Sequence, residues 1–323
     1  MKLLFSLKNK IDDIYQKHPI ITGYIVKLAI SLLTLLILRN NIGFNEMLTN
    51  IFFVAGFAAI CSFVPVKPMI LILAAYSVVQ TFSLASGVGI FSCILFVVMY
   101  LLYFRFSDNS GYVMILIPVL CILKLPILIP LVLAVAASFG SIISVILGFV
   151  SYYFLRYIHM NAAVFQGVAD NSEVNKISMV IAGVFTYREM WYTILCVVIA
   201  FAVVYNLKKV NINRSNEMAI SIGSGVYLIM ILLSNLAFEN ITSTKLAWLV
   251  AGSIISCLLA IIVTSIVLPL DYKRTELLEF EDDEYKYYVR AVPKSSISKE
   301  SVRIKRIYSR KQGNPVRGRE EEN

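Results

Sequence analysis

Two lysines, Lys27 and Lys124, interrupt runs that are otherwise apolar. If those runs cross a bilayer, each lysine is a functional candidate, because a cation at the centre of a lipid core costs about 2.5–3.5 kcal/mol on insertion scales. Lys27 lies near the start of its run, so its stem can carry the ammonium to the membrane surface. Lys124 sits in Lys124-Leu-Pro126, midway along Tyr112–Ser138 and between Pro118 and Pro130. Helix halves that end near mid-membrane bind charged substrates, and a lysine there would select an anion. Lys124 is therefore the substrate-binding candidate. Its plainer reading is a loop lysine in water between two spans.

The remaining reactive residues argue mainly by where they are absent. None of the twenty Asp and Glu residues lies well inside an apolar run. That disfavours a carrier working through a buried carboxylate relay, and an intramembrane aspartyl protease. His18 and His159 stand at the ends of runs and form no HExxH pattern or metal cluster. Gly223-Ser-Gly225 is not a nucleophile elbow, and no phosphate-binding glycine loop is present. Cys61, Cys93, Cys121, Cys196 and Cys257 all fall in apolar stretches without CxxC spacing and read as packing residues. The expectation is a protein that is not an enzyme and needs no cofactor or metal. Any ATP would be hydrolysed by a separate subunit.

The elements that must position these residues follow from composition. Apolar types make up 59% of the 323 residues and charged types 15%, too little polarity to coat soluble cores of this length. Runs of about 20 apolar residues match a hydrocarbon layer of about 30 Å, and backbone groups in lipid must pair within helices. The runs are Ile20–Leu38, Met47–Val64, Met69–Leu84, Val88–Phe104, Tyr112–Ser138, Gly140–Ile158, Trp191–Leu207, Met218–Phe238 and Leu246–Leu270. The expected fold is an all-α polytopic helical membrane protein. It has about eight full spans plus a re-entrant or broken hairpin (or ten spans) and a small cytosolic C-terminal tail. Residues 20–270 form the transmembrane domain, and the five residues Gly140–Ser144 recur as Gly252–Ser256, a stretch suited to close helix contact.

Basic residues choose the orientation, since Lys and Arg gather in cytoplasmic loops. With both termini cytoplasmic, Lys67, Arg105, Lys208, Lys209 and Arg214 fall inside, and Arg39, Arg156, Arg188 and Lys245 are isolated exceptions outside. This parity demands that Tyr112–Ser138 cross an even number of times, as a re-entrant hairpin or as two thin spans. The outer loop Asn161–Arg188 carries Val174, Ile177, Ile181, Val184 and Phe185 near helical spacing and reads as a surface helix.

The ends of the chain are basic. Residues 1–19 place Leu4, Leu7, Ile11 and Ile14 on one helical face, with Lys2, Lys8, Lys10 and Lys17 elsewhere, as in a helix lying on an anionic surface. Residues 271–293 suggest a short strand or hairpin, with alternation at Tyr285–Tyr287 and Val289–Val292. Residues 294–323 lack apolar periodicity and read as a disordered basic tail. Arg303, Lys305, Arg306, Arg310 and Lys311 are its membrane-surface candidates. Nucleic acid is a lesser partner, disfavoured by the membrane tether and by Glu320–Glu322.

The string Phe280–Pro293 after the last span resembles uncharacterised polytopic membrane proteins of Gram-positive bacteria, some of them labelled transporter permeases. The rich use of Ile, Lys and Asn agrees with a bacterial source. The resemblance implies a multi-pass protein of the cell membrane and carries over no binding residue. Two functions follow as expectations. One is a permease-like subunit for a solute or lipid, energised by another subunit. The other is a non-transporting anchor that recruits cytosolic or envelope partners through its tail.

Overall fold

The computed structural model describes residues 18–106, 111–167, 173–210, 214–237, 243–267, 276–281 and 286–291. The basic N-terminal segment with Lys2, Lys8, Lys10 and Lys17, and the tail with Arg303, Lys305, Arg306, Arg310 and Lys311, lie outside the described residues.

Among the described residues thirteen α-helices follow one another: α1 (Pro19–Ile42), α2 (Glu46–Thr49), α3 (Ile51–Phe63), α4 (Val66–Leu84), α5 (Ser86–Phe106), α6 (Gly111–Ile122) and α7 (Leu128–Ala136), then α8 (Ile142–Met160), α9 (Ala162–Gly167), α10 (Glu173–Thr186), α11 (Arg188–Leu207), α12 (Ser215–Ala237) and α13 (Ser243–Val267). Seven of them, α1, α4, α5, α8, α11, α12 and α13, are long and apolar enough to cross a membrane. The chain is a multi-pass helical membrane protein.

The expected span Met47–Val64 is not one helix. Asn50 ends α2 in extended backbone, and its side chain accepts from the Phe52 N–H to open α3, while Asn45 caps α2 in the same way. An asparagine offers the backbone a local acceptor that competes with helix continuation. What remains of that run is a helix of 13 residues, about 20 Å long, which is shorter than the seven candidate spans.

Side-chain contacts fix which helix ends lie together. Ser62 donates to the Tyr24 carbonyl, Lys27 to that of Val64, and Ser31 to that of Ala58, so α1 and α3 run antiparallel. At the far end, the Asn45 N–H donates to buried Gln80 of α4, whose amide donates to the Tyr76 hydroxyl, which itself donates to the Leu48 carbonyl. The Lys67 ammonium sits 5.1 Å from the Phe104 ring, joining the start of α4 to the end of α5. One end of the bundle thus gathers Lys67, Arg105 and, through α11, Lys208. The other gathers Asn45, the α4–α5 turn and the end of α8.

Two cores share a wall. The first packs α1, α3, α4 and α5 with the later part of α8 and with Val180 and Val184 of α10. The second packs α7, α11, α12 and Ala260 of α13. Both α6 and α8 contribute to each: Met114 and Ile115 face one core, and Val113, Ile117 and Cys121 the other. Accordingly α8 is the innermost span, with 61% of its apolar window buried against 17% in α1 and 22% in α13. Gly148 of α8 meets Ile117 of α6, and a Cβ there would come within 2.8 Å of that side chain. The loop Asn161–Arg188 does contain a helix, α10, and it packs on α5 and α8 with Val180 and Val184 buried in the core.

Beyond the bundle, β1 (Glu276–Glu281) and β2 (Lys286–Ala291) form an antiparallel hairpin in which Glu276 faces Ala291 and Glu281 faces Lys286.

Candidate functional site

The stretch Tyr112–Ser138 is a broken helical hairpin. Its arms, α6 with 12 residues and α7 with nine, are about 18 Å and 14 Å long, each well short of a hydrocarbon layer of about 30 Å. Pro118 lies inside α6, where it has no N–H to give to the Met114 carbonyl one turn back. The tip closes on Lys124, which has φ 63°. The Leu125 N–H donates to the Leu120 carbonyl at 2.8 Å and the Lys124 N–H to that of Cys121 at 3.2 Å. These are the two bonds of a Schellman cap with its left-handed residue at position 124, a place glycine usually fills. Pro126 then prevents α6 from resuming.

Lys124 itself is exposed, while its carbonyl lies against Gly252 of α13. Gly252 is nine residues into that helix, about 14 Å from its start. The tip is therefore seated within the span and not beyond it. The buried serines Ser253 and Ser256 beside Gly252 make the recurring Gly-Ser-Ile-Ile-Ser stretch a close-contact face on α13.

The base of the hairpin is held by Lys208. Its ammonium donates to the carbonyls of Val135 at 3.2 Å and Ala137 at 3.0 Å, at the end of α7. A cation completes the unpaired carbonyls of a helix C-terminus. Burial, then the neighbouring Lys209, holds the Lys208 pKa below the ordinary lysine value. Both ammoniums stand over the Tyr205 ring, at 4.3 and 4.4 Å, and Tyr205 packs on Phe139 and Phe201. Lys27 does the same at Val64, the C-cap of α3. The short helices α3 and α7 thus each have their carbonyl end closed by a lysine from a neighbouring element, a pairing that sequence spacing does not display.

Arg156 is not isolated. Helical spacing puts Tyr152, Tyr153, Arg156 and Tyr157 on one side of α8, and the α10–α11 turn hangs Tyr187 over them, with ring centroids 5.7 Å from Tyr153 and 6.3 Å from Tyr157. Gly183 permits this approach, since a Cβ there would collide with the Tyr157 hydroxyl. The guanidinium is 3.6 Å from the Glu189 carboxylate, both groups being partly exposed, and Tyr187 donates to that same oxygen at 3.0 Å. Thr193 donates to the Glu189 carbonyl, so in the 2.7 Å contact between Tyr153 and Thr193 the phenol is the donor. Burial pushes the Tyr187 phenol up to about 12, with Arg156 opposing, so it remains a neutral donor. Deeper in the same core, Tyr227 buries a hydroxyl that has no partner among the described residues.

Between α1, α4, α5, α6 and α8 lies a cavity of about 60 Å³. Its hydroxyls belong to Thr34, Ser77 and Ser151, and each donates back to its own helix. The rest of the wall is carbon, including Phe96 and Leu73. Gln80 and Asn206, polar residues of the spans, hydrogen bond to the α1–α2 connection and to the Ala202 carbonyl of their own helix.

Fold and site together define a polytopic α-helical membrane protein built around a half-length helical hairpin. Comparisons with family models, with curated proteins and with solved structures find no match.

Proposed function

We propose that this protein is a permease-like membrane subunit acting on an amphipathic, lipid-like molecule, with energy supplied by a separate subunit such as an ATPase. The observation that carries this reading is the α6–α7 hairpin, two half-length helices wedged into the bundle with their turn on Gly252. Anchoring a tail needs no such element. Broken helices buried among other spans are tolerated where protein or water surrounds them, and they recur at substrate sites. The chemistry of the interior favours an amphiphile over an ion: the cavity wall is apolar, and the interior charges close helix ends. Lys124, exposed at the tip, is the cation such a molecule would meet partway across.

The grouping of Lys67, Arg105 and Lys208 at one end supports placing that end, and both termini, in the cytoplasm of a cell whose plasma membrane holds the protein. In that orientation the basic segments at the two termini face anionic lipid.

Proteoliposomes carrying a fluorescent phospholipid, quenched from outside, test the reading. Protein-dependent exchange between leaflets, or exchange that appears with a copurifying ATPase, is expected, and its loss in Gly252→Ala would tie it to the hairpin. No exchange under either condition would favour the second reading, a scaffold. One observation points that way: β1 and β2 pair only with each other among the described residues, so each keeps an edge able to add a partner's strand.

A further inference from the structure

We propose that Arg156, with Tyr187 and the first turn of α11, forms a binding site for a phosphate group, carried in the membrane by the headgroup of an amphiphile. This rests on the reading above and names the polar end of its substrate.

Three observations at one place carry it. First, Arg156 stands among aromatic residues, with Tyr152 in hydrogen-bonding reach, yet its carboxylate partner is held only at 3.6 Å and is 62% exposed. A guanidinium presents a fork of donors that fits two oxygens of a phosphate, and the long one-oxygen contact with Glu189 does not fill that two-oxygen geometry. Second, α11 is a helix of 20 residues whose N-cap, Tyr187, contributes no side-chain acceptor to the first turn. The free N–H groups of a helix start favour an anion, and the Tyr187 and Glu189 contacts bring that start to Arg156. Third, Tyr187 donates to the same Glu189 oxygen that faces Arg156. One carboxylate oxygen therefore occupies the point on which a guanidinium and a phenol converge. Glu189 is exposed and held there by its contacts with Tyr187 and Arg156, so in this site it acts as a stand-in that an incoming phosphate displaces. Arg188 beside it adds positive charge. The site opens at the end of the bundle where α8 finishes, so alkyl chains would lie along the lipid-facing helices below it.

The test uses the purified full chain in an uncharged detergent, with thermal stability followed during titration. The probes are dihexanoyl phosphatidate, dihexanoyl phosphatidylcholine and inorganic phosphate. Phosphatidate should give a saturable rise in melting temperature, and Arg156→Gln should weaken binding at least tenfold, with Arg156→Lys recovering part of it. Glu189→Gln removes the competing carboxylate and should tighten binding several-fold, an outcome that loss of folding cannot imitate. A response to phosphatidate alone assigns the headgroup as the occupant, and an equal response to inorganic phosphate assigns the free anion. Unchanged affinity in Arg156→Gln, or weaker affinity in Glu189→Gln, would overturn the site. Because binding is read without transport, its failure would leave the leaflet-exchange reading standing, and failed exchange would leave the site standing.

Discussion

The backbone carbonyl of Lys124 lies against the Cα of Gly252, joining the tip of the α6–α7 hairpin to the interior of α13. A methyl group at position 252 would land on that oxygen, and a backbone carbonyl cannot rotate aside as a side chain can. Gly252→Ala should lower stability by about 1–3 kcal/mol, the usual cost of overpacking, measured by thermal or denaturant unfolding in detergent. Gly225→Ala in α12, where a Cβ meets open space, is the matched control and should be neutral or slightly stabilising. Equal effects at the two glycines would refute a seated hairpin.

Lys124 adopts a left-handed conformation that costs an L-residue roughly 1–2 kcal/mol. Lys124→Gly should therefore raise the unfolding midpoint, and Lys124→Val should lower it. Lys124→Leu keeps the conformational cost and removes the charge. Exchange activity lost in Lys124→Leu at unchanged stability would identify the ammonium as a substrate contact, whereas retained activity would reduce Lys124 to a turn residue.

Removing the Lys208 amine leaves the Val135 and Ala137 carbonyls without their donor. Lys208→Met should cost about 1–3 kcal/mol and should loosen the base of α7. A cysteine introduced at position 137, with the native cysteines replaced, should then react faster with a thiol reagent than in the parent. Unchanged labelling would show that the lysine merely rests there.

Orientation is open to direct reading. Reporter fusions at Asn109 and Asn213 should signal a cytoplasmic position, and fusions at Asn171 and Asn240 an external one. An external signal at Asn213 would invert the charge argument.

Much of the architecture could be read from the chain because lipid permits few solutions. Apolar runs of sufficient length become helices, and the parity of basic loops together with Pro118, Pro126 and Pro130 pointed to a broken segment around Lys124. The division of Met47–Val64 was missed because hydropathy averages over Asn50, whose capping bond is a local event. The environment of Arg156 was missed for another reason: Glu189 and Tyr187 come from a different helix junction, and only packing brings them to α8. Spacing could have hinted at it, since Tyr152, Tyr153, Arg156 and Tyr157 share one helical side. Lys208 read as a topology marker, and nothing in sequence connects it to the end of α7.

The seat of the hairpin also sets an order of assembly. Neither α6 nor α7 is long enough to be retained in the bilayer as an independent span, and the residue that receives their turn belongs to α13, the last helix among the described residues, made long after both have left the ribosome. Until α13 arrives, the turn at Lys124 has no Gly252 to rest on and its backbone lacks its final surroundings. Biogenesis therefore passes through an interval in which this segment is provisional, sheltered only by α8 and its neighbours. Chains truncated before position 243 should fail quality control even though most of their spans have been inserted, because the element they cannot complete was made in the first half of the chain.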